Sequence, residues 1–342
     1  MNKIKIAVVI LNWNGEKLLQ QFLPSVISHS NYPGTKIIVA DNGSTDESVL
    51  VLKKNFPEVE ILDLKQNFGF AKGYNEALRQ IDAEYYVIMN SDVEVDENWM
   101  QPVMDMLEKD NSIGAVQPRI LSYHKKNSFE YAGAAGGFID RYGFPFCRGR
   151  IFDSIEKDTG QYEQTIDIFW GSGACLIIRA ELFHKAGGFD EDFWAHMEEI
   201  DLCWRIKNMG YRIVVCPESK VYHLGGGSLP YGNPMKLYLN FRNNLSLLYK
   251  NLPGNRLLVT ILLRMILDGV AAFRLLSEGN TKGFLSVIHA HFSFYRNLPS
   301  LHKKRKAQSA FLNRKQHPEM FRQSIVFNYY LKKKKRFGEL QF

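Results

Sequence analysis

A change of hydrophobic period, repeated along the first 120 residues, most constrains what this chain can fold into. Residues 4–11 read as a buried strand, and residues 16–28 follow with Leu18, Leu19, Phe22 and Val26 at helical spacing. The pattern then predicts strands over 36–40, 59–64, 85–89 and 113–117. Between them it predicts helices near 47–55, 71–80 and 98–109. Short apolar strands alternating with amphipathic helices imply an α/β fold, with a mostly parallel sheet covered by helices on both faces. Ligands of such sheets collect at the carboxyl ends of the strands. Polar clusters stand there, at 12–15, 41–46 and 90–96.

Residues 120–165 lose this rhythm; glycines 133, 136, 137, 143 and 149 and many aromatics indicate hairpins and irregular loops. A strand over 175–179, a helix over about 198–209 and a strand over 212–216 follow, and the chain is helical from Pro234 onward. Residues 257–276 are long enough to span a bilayer, but Arg264, Asp268 and Arg274 interrupt them. Each would cost roughly 2.5–3.5 kcal/mol near mid-membrane, so a span is the weaker reading. All three fall within one third of the helical circumference. That fits a helix in a membrane interface or one packed on the protein's own core, and the charge distribution tips the choice to the interface. Residues 301–342 hold 12 Lys or Arg against 2 acids, whereas residues 1–300 hold 31 bases and 34 acids. The basicity belongs to the tail, which argues against a nucleic-acid-binding core and for attraction to an anionic membrane surface. The four cysteines form no C-x-x-C pair, and the first apolar run is too short for a leader. The expectation is a reduced, cytoplasmic protein.

The motifs narrow the chemistry. No G-x-G-x-x-G follows the first strand, and neither a Walker lysine motif nor H-E-x-x-H occurs. Instead, carboxylates and amides stand at strand ends. Asp41 begins Asp41-Asn42-Gly43-Ser44-Thr45-Asp46, where ligand binding and turn-making are equally good readings. Residues 67–75 (NFGFAKGYN) open a helix through a glycine loop, and backbone N–H groups there favour phosphate, with Lys72 adding charge. Asn90-Ser91-Asp92 ends an apolar strand, and a carboxylate so delivered suits Mg²⁺ or Mn²⁺. Glu198, Glu199 and Asp201 crowd a helix start. Close carboxylates raise one another's pKa, as a general base requires, while Asp201 and Arg205 read as an i,i+4 pair. His223 precedes a glycine run, 225–227, in a loop that permits close approach to metal or phosphate.

Taken in order, VVILNWNG (8–15), VADNGSTD (39–46), QNFGFAKGYNEAL (66–78), VIMNSDVEVD (87–96), WGSGACLIIR (170–179), GGFDEDFWAHMEEIDLCWR (187–205) and VYHLGGGS (221–228) resemble the family 2 glycosyltransferases. The nearest subgroup includes bacterial rhamnosyltransferases of polysaccharide assembly. The resemblance implies a GT-A fold over 1–230, with a nucleotide-sugar half (1–118) and an acceptor half (119–230). A helical extension (231–300) and a basic tail (301–342) follow. It implies inverting, metal-dependent transfer from a nucleoside-diphosphate sugar, dTDP-rhamnose or a UDP-hexose or UDP-N-acetylhexosamine, to a glycan or polyprenyl-linked glycan. Asn12, Asp41, Asn67, Gly69, Phe70, Lys72, Asn75 and Ser91 match the nucleotide-sugar side. Asp92 and His223 match the metal ligands, and Trp170, Gly171, Ser172 and Gly173 the acceptor side. Glu199 matches the base, with Asp201 or Glu198 as fallback. Asn90 replaces the first acid of the D-x-D motif, and Glu199 stands where Asp is commoner. A nucleotidyltransferase and a non-catalytic nucleotide-sugar-binding protein are the rival readings. The first lacks an early triphosphate loop here, and the second would not need the acids at 198–201.

Overall fold

A computed structural model describes residues 4–225, 233–309 and 317–342. The N-terminal half alternates β1 (Ile4–Asn12), α1 (Glu16–His29), β2 (Thr35–Asp41), α2 (Ser48–Asn55), β3 (Glu60–Asp63), α3 (Gly69–Leu78) and β4 (Ala83–Asn90). Short β5 (Val93–Val95), α4 (Gln101–Lys109) and β6 (Ile113–Ser122) follow. Successive residues of β1 enter different cores: Ala7 and Val9 pack on one face of the sheet, Ile6, Val8 and Ile10 on the other. Two-sided burial is why the run carries no polar alternation.

Residues 137–155 form four short strands, β7 (Gly137–Asp140), β8 (Pro145–Cys147), β9 (Arg150–Ile151) and β10 (Ser154–Ile155). After them come β11 (Ile166–Asp167), β12 (Cys175–Arg179), α5 (Ala180–Lys185), α6 (Glu198–Asn208) and β13 (Arg212–His223). The main sheet runs β11-β13-β6-β12-β4-β1-β2-β3. β4, β1, β2 and β3 are parallel, as are β6 and β13, and β12 lies antiparallel between the two groups. All four cysteines are free and buried.

Three helices follow, α7 (Pro234–Asn251), α8 (Gly254–Ser277) and α9 (Thr281–Ala307), then β14 (Met320–Phe321) and α10 (Ile325–Tyr330). Among the described residues no helix is long and apolar enough to cross a membrane. The expected basic tail is, from residue 317 on, largely folded onto the molecule. β14 pairs with β7 in a second sheet, Phe337 and Phe342 pack on Phe138, and Ile325 N–H donates to Asp140 Oδ2 at 2.9 Å. Apolar residues spaced between the lysines supply the burial that charge counting overlooks.

Candidate active site

Strand register assembles one polar edge. Asn12 at the end of β1 lies beside Asp41 at the end of β2, and Leu11 lies beside Asn90 at the end of β4. Asn12 Nδ2 donates to Asp41 Oδ1 at 3.0 Å, and Asp41 Oδ2 accepts from Ser44 N–H at 3.0 Å. Asn12 is sealed beneath this carboxylate and supports it. Gly43, at φ +72°, allows the chain to pass Gln66, which a Cβ would approach to 2.6 Å. Asn67 Oδ1 accepts from Gly69 N–H (2.8 Å) and Asn42 Nδ2 (3.1 Å), shaping the turn into α3. Half-buried Lys72 holds its ammonium 5.0 Å from the centre of the Phe68 ring. Half-buried Ser91 faces the Gly15 end of this edge, with its Oγ 3.8 Å from where a Cβ on Gly15 would stand.

β5 carries the pairing that matters most here. It runs antiparallel to the end of β13, with His223 opposite Val93, so the histidine is delivered to Asp92. Asp92 Oδ1 and His223 Nε2 stand 3.1 Å apart, both side chains buried. Burial pushes the Asp92 carboxyl up, but the hydrogen bond and charge of His223 outweigh it and hold the group below the usual carboxylate range. Burial alone would lower His223; Asp92 and Glu130 prevail and push it up to about 10. Glu130 Oε2 lies 3.3 Å from Nδ1, close enough for an ion pair though poorly aligned for a hydrogen bond. Sequence reasoning missed Glu130, because nothing around Phe129-Glu130-Tyr131 marks it. The glycines that follow, Gly226 and Gly227, lie outside the described residues.

The spacing within this group bears on a divalent cation. Two ligands about 2.1 Å from one cation and at right angles stand about 3 Å apart, which matches the Asp92–His223 spacing. A carboxylate at Nδ1 orients the ring so that Nε2 faces the metal. The spacing of Asp92 and His223 would suit two ligands of one divalent ion on condition that the imidazole, kept protonated by Asp92 and Glu130, gives up its Nε2 proton. No group of three or more His, Cys, Asp or Glu is arranged to hold a metal among the described residues.

The acidic cluster divides. Burial pushes Glu199 up to about 7, and its Oε2 is sheltered without a hydrogen-bond partner. Glu198 is buried and rises well above its ordinary value, through burial and then the charge of Glu199. Asp201 is different. It accepts from Arg205 Nε (2.8 Å), Lys250 Nζ (2.9 Å) and Asn251 Nδ2 (2.8 Å), which hold it below the usual range despite burial. Fully enclosed and charged, it is a structural anchor between α6 and α7, so the fallback base role falls to Glu198 alone.

Glu199 joins the strand-end edge through 172–174. A Cβ on Gly173 would lie 3.3 Å from Phe70 and 3.9 Å from Glu199 Cβ, while Asn90 N–H donates to Ala174 O at 3.0 Å. The other residues assigned to the acceptor side are not surface groups. Trp170 is buried with Nε1 donating to Phe138 O at 2.8 Å, Gly171 packs against Leu176, and Ser172 N–H donates to Gln117 Oε1 at 2.9 Å. Their tight packing and hydrogen bonds hold Gly173 in place. Asn75 is likewise occupied within the protein. Its amide exchanges hydrogen bonds with Phe189 O (2.8 Å) and N–H (2.9 Å), tying α3 to the segment before α6.

That segment is strained. Trp194, His196 and Met197 all have φ between 62° and 73° without being glycine. Trp194 lies against Gly69, whose φ is +74° and whose Cβ would meet the indole Nε1 at 2.7 Å. Asn243 on α7 donates to the carbonyls of Phe193, Ala195 and His196 at 2.8–3.0 Å. These turns set the start of α6, and with it Glu199.

A parallel-strand edge carrying Asp41 and Asp92 beside a buried acid is the arrangement of a GT-A protein, and solved structures agree. Superposition on GalNAc-T7 with UDP, GalNAc and Mn²⁺ gives a TM-score of 0.57 at 19% identity, covering 73% of this chain and 49% of that one. The Glycosyl transferase family 2 model matches residues 7–187, and the chain belongs to that family. The matched stretch includes Asp41 and Asp92 and stops before Glu199 and His223. The chain is 25% identical over 222 residues to the O-antigen biosynthesis protein RfbC of Myxococcus xanthus, covering 64% of this chain but only 17% of that protein. It is 25% identical over 234 residues to the N-acetylglucosaminyl-diphospho-decaprenol L-rhamnosyltransferase of Mycobacterium tuberculosis, covering 64% of this chain and 75% of that one.

Proposed function

We propose that the protein transfers a sugar from a nucleoside diphosphate to a hydroxyl of a glycan or polyprenyl-linked glycan, with inversion, in cell-surface polysaccharide synthesis. The observation that carries this reading is Glu199, a carboxyl pushed to about 7 and placed against Gly173 at the strand-end edge. Residues 1–118 would hold the nucleotide sugar and 119–230 the acceptor. Asp41, supported by Asn12, is the group for the base or ribose, and the 67–72 loop lies on the diphosphate side. Asp92 and His223 would hold Mg²⁺ or Mn²⁺, and a bound cation supplies neutralisation of the charge left on the departing diphosphate.

Glu199 accepts the proton of the acceptor hydroxyl. The hydroxyl oxygen then bonds to the anomeric carbon from the face opposite the diphosphate, whose bond to that carbon breaks with its electron pair. The products are the glycosylated acceptor, the nucleoside diphosphate and protonated Glu199. The rhamnosyltransferase relative makes dTDP-rhamnose the first sugar to try and a polyprenyl-linked acceptor the first class; UDP-hexoses and UDP-N-acetylhexosamines come next. An enzyme with such an acceptor works at the inner face of the cell membrane, as a peripheral protein.

A thermal-shift screen of nucleotide sugars with Mg²⁺ or Mn²⁺ tests the reading, because binding to the folded state raises its melting temperature. A stabilising nucleotide sugar, turned over by the wild type and not by Glu199→Gln, is the expected result. No stabilisation by any of them would overturn it.

A further inference from the structure

α8 is turned opposite to what its composition suggests. Two of its charges face the protein, Arg264 being 4% exposed and Asp268 fully buried, while Arg274 near its end is exposed. Arg264 Nε donates to Asp268 Oδ1 at 2.7 Å, its guanidinium lies 3.8 Å from the Phe144 ring centre, and it also bonds Asn244 of α7. His291 of α9 lies 3.3 Å from the other Asp268 oxygen. The opposite face carries Leu258, Val259, Leu262, Ile266, Val270 and Phe273, between 56% and 80% exposed. On α9, Leu285 and Phe292 are exposed as well. Isolated surface leucines are ordinary, but a continuous apolar stripe along a helix of this length is not.

Charge identifies what covers it. From Gly254 to Ala307 the sequence holds two acids, Asp268 and Glu278, the first buried with Arg264 and the second 2.8 Å from Arg274. At the same end of α8, Arg274 lies 5.6 Å from the Tyr330 ring, and the exposed Leu331, Lys332, Lys333, Lys335 and Arg336 follow directly. A second copy of this chain would set positive charge against positive charge, whereas an anionic bilayer supplies both a hydrocarbon boundary and phosphate.

We propose that the outer face of α8, with the 331–336 segment, docks on an anionic lipid surface, the apolar stripe entering the acyl boundary and the cations meeting lipid phosphates. The proposal deepens the peripheral membrane placement given above and rests on it. It assigns that placement to a packed, inward-charged helix rather than to a free basic tail.

The test is flotation of the full chain with vesicles of equimolar phosphatidylglycerol and phosphatidylcholine, and with phosphatidylcholine alone. The wild type should float with the first at low salt and be released from it by roughly 0.5 M salt. A Leu262→Ser/Ile266→Ser/Val270→Ser variant should bind more than about tenfold more weakly, since three buried aliphatic side chains are lost. Lys332→Ala/Lys333→Ala/Lys335→Ala should lose the preference for the anionic lipid. Unchanged melting with a nucleotide sugar checks that each variant is folded. Equal flotation of the triple serine variant would overturn the proposal. So would a wild type that sediments as a dimer and ignores vesicles, with the serine variant monomeric. Failed flotation with intact sugar transfer removes only the docking surface; intact flotation with no nucleotide sugar bound removes only the transferase reading.

Discussion

Glu198 and Glu199 sit one position apart, and their surroundings separate their work. Glu198 is buried and its carboxyl is raised well above the ordinary value, by burial and then by the charge of Glu199, while burial pushes the half-buried Glu199 beside Gly173 up to about 7. Replacing Glu199 by Gln should lower kcat by about 10²–10⁴ and leave nucleotide-sugar affinity intact in calorimetry. The wild-type kcat should rise with pH through an apparent pKa of about 7, as the base loses its proton. Burial, not the charge of Glu198, raises Glu199, so Glu198→Gln should leave that limb in place; a large displacement would make the pair the titrating unit. The same shift acts on stability. A carboxyl that rises from 4.5 to about 7 on folding contributes stability below 4.5 and loses it as pH rises through 7. Glu199→Gln should therefore flatten the melting temperature between pH 5 and 8. Asp92→Asn should weaken Mn²⁺-dependent nucleotide-sugar binding, measured by titration calorimetry with and without the ion.

Among the elements, the loop into α6 depends on neighbours distant in the chain. Asn75 of α3 holds it at Phe189, and Asn243 of α7 holds three carbonyls around the left-handed residues. A buried amide that satisfies several carbonyls leaves them unpaired when removed, at about 1–3 kcal/mol each. Asn243→Ala should lower the melting temperature and reduce kcat more than it weakens nucleotide-sugar binding, because the base moves while the strand-end edge does not. Equal losses in both would make Asn243 a stability residue only.

At the scale of the whole molecule, the C-terminal residues complete the small sheet of β7 to β10. Phe321, fully buried on β14, meets Phe146 edge-on and Phe342 at a tilt, and Phe337 covers Phe138 and Phe146. Phe321→Ala should cost roughly 3–5 kcal/mol, a large share of the stability of an ordinary domain, read as a lower melting temperature. If the 317–342 segment were a detached tail, the same change would leave melting unmoved.

Local patterns were legible from residue order. The period changes that separate β1 to β4 and β6 from α1 to α4 lie within runs of about ten residues, so residue order revealed the α/β class, and the ordered motifs around Asp41, Asp92 and Glu199 carried the resemblance to the family. The glycines marked the hairpins of β7 to β10, but not their strand bounds or the pairing of β14 with β7, because strands of two to four residues carry too little alternation to register. Nor were the partners. His223 reaches Asp92 only because β13 pairs with β5, Glu130 joins them from the segment after β6 that bonds back to Ile120, and Asn75, Trp170 and Asp201 are drawn inward by residues far along the chain. The helical wheel of α8 grouped Arg264 with Asp268, which turn inward together, and also with Arg274, which is exposed; a wheel carries no record of what lies beneath it. Periodicity says which residues share a face; only the polar groups waiting at Asn244, His291 and the 142–144 turn decided which face turned inward.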